Sequence, residues 1–378
     1  MDPVPLYNLD LGKTHPGKRF GNVRVGPFVV KVVDDYETQV GKIPHTGSRT
    51  DSFDTETGKP TTTFREASGS GWHVTAIATP DEGTDERSIL CKPPADDGGA
   101  WDLCTILTFL TGRRVSTAKS LDRFSPLPAG SHACLRMIVL EAAAIAWSRR
   151  NVIAERGFAT ALFLYNEGTS HDLLQVFASL YNTALNAVLD AWELPLTNVD
   201  PEKKAALLKI VTEAVNGCVA LSEQERQGFS ARLGSKVNEG LLGLAEKLPA
   251  LLVELDVIRP RGAEGQDHDA VYRRVKFVNT VRNGLTHTGR IPRLKGLDEE
   301  QARRHALAIT SGVVPDIFKL AMGKVLGLDP KDTRSFALLT VLRDVLVTFF
   351  AHGIWRDWPL EEKSFDEWFY ESSSRWGA

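Results

Sequence analysis

An arginine, a carboxamide and a histidine stand close together in the stretch 271–289, which is VYRRVKFVNTVRNGLTHTG. Arg282 is followed directly by Asn283, and His287 comes four residues later. Arginine offers phosphate oxygens a fixed fork of donors and stays charged, while histidine gives or takes a proton near neutral pH. Asparagine can orient either partner without adding charge. Because RNA carries its own nucleophile, the 2′-hydroxyl, this set could cleave RNA without a metal ion.

The periodicity of the same stretch predicts the helix that positions these side chains. Apolar residues recur at helical spacing and predict a buried face of Val271, Val275, Phe277, Val278, Val281 and Leu285. Arg282 lies at the edge of this face, and beyond it follows a polar track of Asn279, Asn283, Thr286 and His287. Gly289 and Pro292 predict the helix end, so His287 belongs to the last turn. Arg282 and His287 are about 140° apart around such a helix, so both can act only in a cleft that wraps its end.

Charge is concentrated around this helix. Residues 270–296 contain seven basic residues and no acidic one, although the whole chain has a formal net charge of −3. A local basic surface on a nearly neutral chain indicates contact with a polyanion at one place. The side chains predicted to bind RNA there are Lys276, Asn279, Arg290 and Arg293.

Arg282, Asn283 and His287 resemble the motif of the HEPN superfamily, whose nucleases carry R-x(4–6)-H, often with a polar residue after the arginine. The resemblance covers about residues 150–355 and implies a helical bundle. A second match, Arg261 and His268, lies in a glycine-containing charged stretch and is interpreted as chance. The layout also resembles ApeA-like HEPN proteins of bacterial anti-phage defence, which have a variable N-terminal region.

The resemblance implies a metal-independent endoribonuclease without a cofactor, which leaves 2′,3′-cyclic phosphate and 5′-hydroxyl ends. Arg282 would stabilise the phosphorane, Asn283 would orient it and His287 would be the acid and base. Because one histidine serves two proton transfers poorly, HEPN nucleases form homodimers in which two motifs meet, and the same is expected here. The implied substrate is RNA, with transfer RNA as one candidate, and the implied role is anti-phage defence or that of a toxin.

The rest of the sequence predicts an α+β fold with two regions. Residues 1–97 are predicted to form a small β-rich domain, with strands at 22–33, 61–65 and 72–79, a further candidate strand at 87–92 and a long loop at 34–59. Residues 98–378 are predicted to be all helical. Helices are expected at 101–110, 132–150, 158–166, 170–192, 201–215, 222–255, 271–289, 297–326 and 332–352, where 222–255 and 297–326 each form one helix or two.

Composition narrows the class of protein. Four scattered cysteines without a C-x-x-C pair disfavour a zinc site and a secreted disulfide framework, and no cofactor or metal motif is found. The N-terminus has no apolar core of a signal peptide, and the most apolar runs are too short or too charged to span a bilayer. The sequence therefore predicts a cytoplasmic protein without a membrane segment.

Three alternatives remain open. In the first, Arg282 and His287 are ordinary surface residues whose charges favour the C-terminal end of a helix dipole. In the second, the chain is a non-catalytic HEPN-like scaffold that binds nucleic acid, a nucleotide or a protein partner. In the third, an unrelated enzyme has its site in the β-rich region, where the sequence offers no motif.

Overall fold

The computed structural model describes residues 2–11, 21–43, 49–53, 60–64, 72–83, 86–91, 93–118, 139–169, 174–192, 194, 201–238, 244–260, 263–285, 306, 308–328 and 337–352. An antiparallel sheet near the N-terminus is followed by a long helical region, which confirms the α+β class. None of the helices in these ranges is long and apolar enough to cross a membrane.

The N-terminal part contains a four-stranded sheet, a separate hairpin and one short helix. The elements are β1 (Val4–Tyr7), β2 (Val23–Val25), β3 (Phe28–Val32), α1 (Tyr36–Lys42), β4 (Arg49–Phe53), β5 (Pro60–Phe64) and β6 (Val74–Pro80). The sheet has the order β1-β6-β3-β2 with antiparallel neighbours, and β4 pairs with β5. Gly26 and Pro27 form the turn between β2 and β3.

Two expectations for this region are corrected. The stretch 34–59 is not one long loop, because it contains α1 and β4. Tyr36 and Val40 are one turn apart and pack α1 against the core, and the Tyr36 hydroxyl accepts a hydrogen bond from the Leu11 amide at 2.6 Å. The candidate strand at 87–92 is only a single bridge between Ser88 and Ala95.

The helical part begins with α2 (Ala100–Thr111), α3 (Val139–Ser148), α4 (Arg150–Glu155), α5 (Phe158–Thr169) and α6 (Leu174–Ala191). It continues with α7 (Pro201–Asn216), α8 (Glu223–Asn238), α9 (Leu244–Glu254) and α10 (His268–Asn283). A π-helical turn at Ile309–Val313 then passes directly into α11 (Val314–Val325), and α12 (Ala337–His352) follows. The stretch 222–255 is therefore two helices, and α11 carries Pro315 in its first turn, where proline is tolerated.

The sheet and the helices share one hydrophobic core. Trp147 of α3 packs edge-on against Phe28 of β3, with ring centroids 5.8 Å apart. Further along the core, Tyr165 of α5 stacks on Tyr181 of α6 at 4.9 Å and on Phe318 of α11 at 4.3 Å. The buried side chains on the two sides of residue 97 belong to the same cluster. The domain boundary predicted at that residue stays a prediction.

Helices α7 and α8 pair with each other as a hairpin. A capping box starts α8, because the Ser222 amide donates to Glu225 Oε2 at 2.9 Å and the Glu225 amide donates to the Ser222 hydroxyl at 3.4 Å. Within 201–238, Val215 is the one buried apolar residue among the described side chains, and the shared core includes no residue from this range. Several large apolar side chains of the hairpin are instead exposed: Leu207, Ile210, Val219, Phe229 and Leu233.

Candidate functional site

The candidate site is built on α10, whose start and buried face follow from the sequence. The Asp267 carboxylate accepts a hydrogen bond from the Ala270 amide at 3.0 Å and caps the helix, and the backbone stays helical through Leu285. All six apolar residues predicted for the buried face are at most 2% exposed. The helix packs against α9, α12 and the π-helical turn, so its orientation is fixed by neighbours on several sides.

Arg282 faces inward from the last turn of α10. Its residue is 8% exposed, and its Nη2 donates a hydrogen bond to Oδ1 of Asn186 on α6 at 2.8 Å. Its Nε is buried without an acceptor, and no carboxylate of the described residues forms a salt bridge with it. Burial lowers the pKa of Arg282, although a guanidinium stays charged at physiological pH. The site therefore contains a desolvated positive charge whose hydrogen-bond partner in the described part of the chain is neutral.

Asn279 lies one turn before Arg282 and is also buried. It is 8% exposed, and neither atom of its amide group has a hydrogen-bond partner among the described residues. A buried amide without partners is costly, by about 1–3 kcal/mol for each unsatisfied group. Two unsatisfied groups next to a desolvated guanidinium make this the least satisfied polar part of α10.

The polar and basic side chains predicted to act on α10 are divided between the interior and the surface. Lys276 and Asn283 are exposed, whereas Asn279 and Arg282 are covered. The helical wheel could not reveal this, because the side chain that meets Arg282 belongs to α6, about a hundred residues earlier in the chain. Asn279 was predicted to bind RNA, and it can do so only if the residues that pack over its side chain move away.

Fewer basic side chains of α10 are exposed than the sequence indicates. Arg274 is 1% exposed, and its guanidinium donates to the backbone carbonyl of Phe350 on α12. It is therefore a structural contact between two helices, and is not available to a polyanion.

Several predicted residues fall outside the described ranges. These are His287, Arg290, Arg293 and Arg261. His268, the second half of the chance match, begins α10 and its ring nitrogens lie 3.2 Å from the Ala263 carbonyl and 3.4 Å from Gln266 Nε2. Its ring is thus engaged with the loop that precedes the helix.

Asn186 is a site residue that the sequence reasoning missed. A signal for it exists, because Asn182 and Asn186 are four residues apart on a helix that is otherwise strongly apolar along one side. Asn182 is 3% exposed, and Asn186 is partly buried.

Among the described residues, no group of three or more His, Cys, Asp or Glu side chains is placed to hold a metal ion. The chemistry available at α10 is therefore that of a guanidinium, two carboxamides and an exposed lysine. Guanidinium and ammonium groups are the side chains that bind oxyanions in proteins, and proton transfer needs a further group.

Comparison with known proteins adds no relative, since no family model, curated protein or solved structure matches this chain.

Proposed function

We propose that this chain is a metal-independent endoribonuclease of the HEPN type. The single observation that carries the proposal is Arg282, a buried cation that has, among the described residues, a neutral carboxamide as partner and no acceptor for its Nε. The proposed compartment is the cytoplasm, where thiols such as Cys91, Cys104 and Cys218 stay free. The proposed role is anti-phage defence, or that of a toxin.

Two other arginines of the chain have acidic partners that Arg282 lacks among the described residues. Arg150 pairs with Glu86 and lies 3.5 Å from Asp102, and Arg114 pairs with Glu167 at 2.7 Å. These acidic partners compensate the desolvation of each guanidinium. Arg282 lacks this compensation in the described part of the chain, and a phosphate group of RNA would supply it. The phosphorane carries more negative charge than the substrate, so the same guanidinium would stabilise the transition state more strongly.

The proposed reaction is transesterification within RNA. The 2′-oxygen attacks the adjacent phosphorus while its proton passes to a base, and the bond from phosphorus to the 5′-oxygen breaks as that oxygen receives a proton. His287 is proposed for proton transfer, Arg282 for the phosphorane and Asn283, which is exposed beside Arg282, for orientation. The exposed Lys276, together with Arg290 and Arg293, is proposed to hold backbone phosphates.

Two proton transfers favour a homodimer in which two copies of His287 share one cleft. The α7–α8 hairpin supports self-association, because Ile210 is 64% exposed and Phe229 is 47% exposed on paired helices. A hairpin with apolar outer faces is suited to pair with its own twofold copy as a four-helix arrangement. A chain with both Ile210→Asp and Phe229→Asp should be monomeric in analytical ultracentrifugation and should lose RNA cleavage.

Val341→Asp provides the matched control, since Val341 is 50% exposed on α12 and outside the hairpin. It should leave the oligomeric state unchanged. A wild-type chain that is monomeric and still cleaves RNA would contradict the dimer.

The test of the function is cleavage of total RNA and of transfer RNA by purified protein in EDTA. Wild type should cleave, His287→Ala and Arg282→Ala should not, and His268→Ala should remain active because its ring serves the loop before α10. The products should end in 2′,3′-cyclic phosphate and 5′-hydroxyl groups. Cleavage by all four proteins would mean that α10 is not the active helix.

The competing proposal is a non-catalytic helical scaffold that binds nucleic acid, a nucleotide or a protein. The observation that favours it is the cover over Asn279 and Arg282, which keeps both side chains at 8% exposure. It predicts that His287→Ala preserves biological activity. Loss of activity in a folded His287→Ala chain would reject the scaffold.

A further inference from the structure

A cavity of about 270 Å³ lies between α2 and α5 and is bordered by residues 114–118. It is separate from α10, because the residues that line it come from 97–118 and 163–167. Cavities that bind small ligands usually measure about 300–1,000 Å³, so this one is suited to a single small ring system.

Two exposed aromatic side chains form part of the cavity lining. Trp101 on α2 is 40% exposed, and Phe163 on α5 is 41% exposed. Large aromatic rings left this open lose the free energy that their burial would provide. A planar ligand that stacks on either ring would recover it, as bases do on the aromatic platforms of single-strand binding proteins.

The inner part of the cavity is polar and held in place. The Glu167 carboxylate pairs with Arg114 at 2.7 Å, and the Asn166 amide donates to the Thr105 carbonyl at 2.9 Å. Asn166 and Glu167 are each 8% exposed, so their positions are set by the packing of α5 against α2. A carboxamide, a carboxylate and a guanidinium side by side present both donors and acceptors, which matches the edge of a heterocyclic base.

Charge argues against a phosphate inside this cavity. Among the described residues of the lining, one side chain is basic, Arg114, and two are acidic, Asp97 and Glu167, so their formal sum is negative. The N-terminus of α2 would ordinarily attract a phosphate, but Asp97 already accepts hydrogen bonds from the amides of Gly99 at 3.0 Å and Trp101 at 2.9 Å. The preferred ligand is therefore aromatic, polar at its edge and not anionic.

We propose that this cavity binds one nucleobase, stacked on Trp101 or Phe163 with its edge towards Asn166 and Glu167. The base comes either from a free nucleoside or from an unpaired position in RNA. The proposal does not depend on the nuclease activity, because it uses no residue of α10.

The experiment titrates the full-length chain with both His287→Ala and Arg282→Met, so that RNA is not consumed and the proposed phosphate contact on α10 is removed if the nuclease proposal holds. Isothermal titration calorimetry uses adenosine, guanosine, cytidine and uridine, their 5′-monophosphates, inorganic phosphate and short unstructured RNA oligomers. We expect at least one nucleoside or oligomer to bind, and a monophosphate to bind no more tightly than its nucleoside. Binding by oligomers alone identifies RNA as the source of the base, and binding by nucleosides identifies a free ligand as sufficient.

The variants Trp101→Ala and Phe163→Ala test the stacking. At least one should weaken binding by about tenfold or more, because stacking of a base on an aromatic ring is worth about 1–3 kcal/mol. The control is Tyr272→Ala on α10, which removes a ring of equal exposure, 41%, and should leave affinity unchanged. Since all three rings are partly exposed, thermal unfolding should confirm that each variant folds.

The proposal is overturned by any of three results. The first is that no nucleoside or oligomer binds at millimolar concentration. The second is that binding is unchanged in both Trp101→Ala and Phe163→Ala. The third is that inorganic phosphate or the monophosphates bind tenfold more tightly than the nucleosides.

Discussion

The substitution Arg282→Met separates a functional charge from a structural one. Methionine keeps an unbranched side chain in the covered position and removes the guanidinium. Arg274→Met is the matched control, because Arg274 is also buried on α10 but donates to the Phe350 carbonyl. If Arg282 is retained for anion binding, its loss should harm function without harming the fold, whereas loss of Arg274 should harm the fold.

The expected magnitudes follow from the contacts. Arg282→Met removes one hydrogen bond to Asn186, worth about 1.5–3 kcal/mol for a charged donor, and Asn186 is only partly buried and can regain water. It also removes the desolvation penalty of a charge without an acidic partner, which is several kcal/mol. The free energy of unfolding should therefore stay the same or rise by up to about 2 kcal/mol. Arg274 differs because its charge interacts with the carboxylate of Asp267. Arg274→Met removes this charge and also the donor to the buried Phe350 carbonyl, and should lower the free energy of unfolding by about 1–3 kcal/mol.

Equilibrium unfolding in urea measures both changes, and fluorescence anisotropy with a labelled RNA measures binding. Arg282→Met should weaken RNA binding by about tenfold or more, since a charged hydrogen bond to phosphate is worth about 1.5–3 kcal/mol. A loss of stability as large as that of Arg274→Met, with RNA binding unchanged, would show that Arg282 is a structural residue and would refute this reasoning.

Three further predictions concern the fold around the sheet and α2. Gly26→Ala should lower the free energy of unfolding, measured in urea, by about 2–4 kcal/mol. The reason is that Gly26 has φ +56° and that a Cβ there would lie 2.1 Å from the Trp147 ring. An unchanged free energy of unfolding would contradict this close turn. Asp102→Asn should lower the free energy of unfolding by about 3 kcal/mol, because the buried Asp102 carboxylate accepts hydrogen bonds from the Ile89 and Leu90 amides at 2.9–3.1 Å. Stability equal to that of the wild type would contradict this role. Burial raises the pKa of the Cys104 thiol to about 12, whereas an exposed cysteine in the unfolded chain has a pKa of about 8.5. Burial of the neutral thiol therefore contributes fully to the stability of the fold below about pH 8.5, and this contribution is lost as the pH rises towards 12. Native protein should therefore resist iodoacetamide at Cys104 at pH 8 and react in urea, as followed by mass spectrometry, and equal labelling in both would contradict the burial.

Elements with a strong pattern were predictable from the sequence. The buried face of α10 needs only its 3.6-residue period, and the capping box of Ser222 and Glu225 needs only its spacing. Strand β1 and helix α1 escaped prediction for different reasons. β1 is four residues long, contains Pro5, and is stabilised by β6, with Val4 opposite Ala78. α1 lies in a polar stretch where the anchoring contact is long-range, from Tyr36 to Leu11.

The candidate site was predictable along α10 but not across it. Period and charge identified Arg282 at the edge of the buried face, and the structure adds that Asn186 of α6 meets it. The same information could not distinguish Arg274, which binds a backbone carbonyl, from an arginine that faces solvent. A helical wheel gives the direction of a side chain, and only the packing of distant helices decides what it meets.

The central claim is tested most directly by cleavage of one RNA in EDTA, compared with the same RNA carrying a 2′-deoxynucleotide before the mapped scissile phosphate. Wild-type protein should cleave the all-ribose RNA to a 2′,3′-cyclic phosphate, and the single 2′-deoxy change should block that cut completely. Arg282→Ala and His287→Ala should cleave neither substrate. Cleavage of the 2′-deoxy substrate at the same phosphate, or loss of all cleavage in EDTA with recovery in Mg²⁺, would contradict the proposed mechanism.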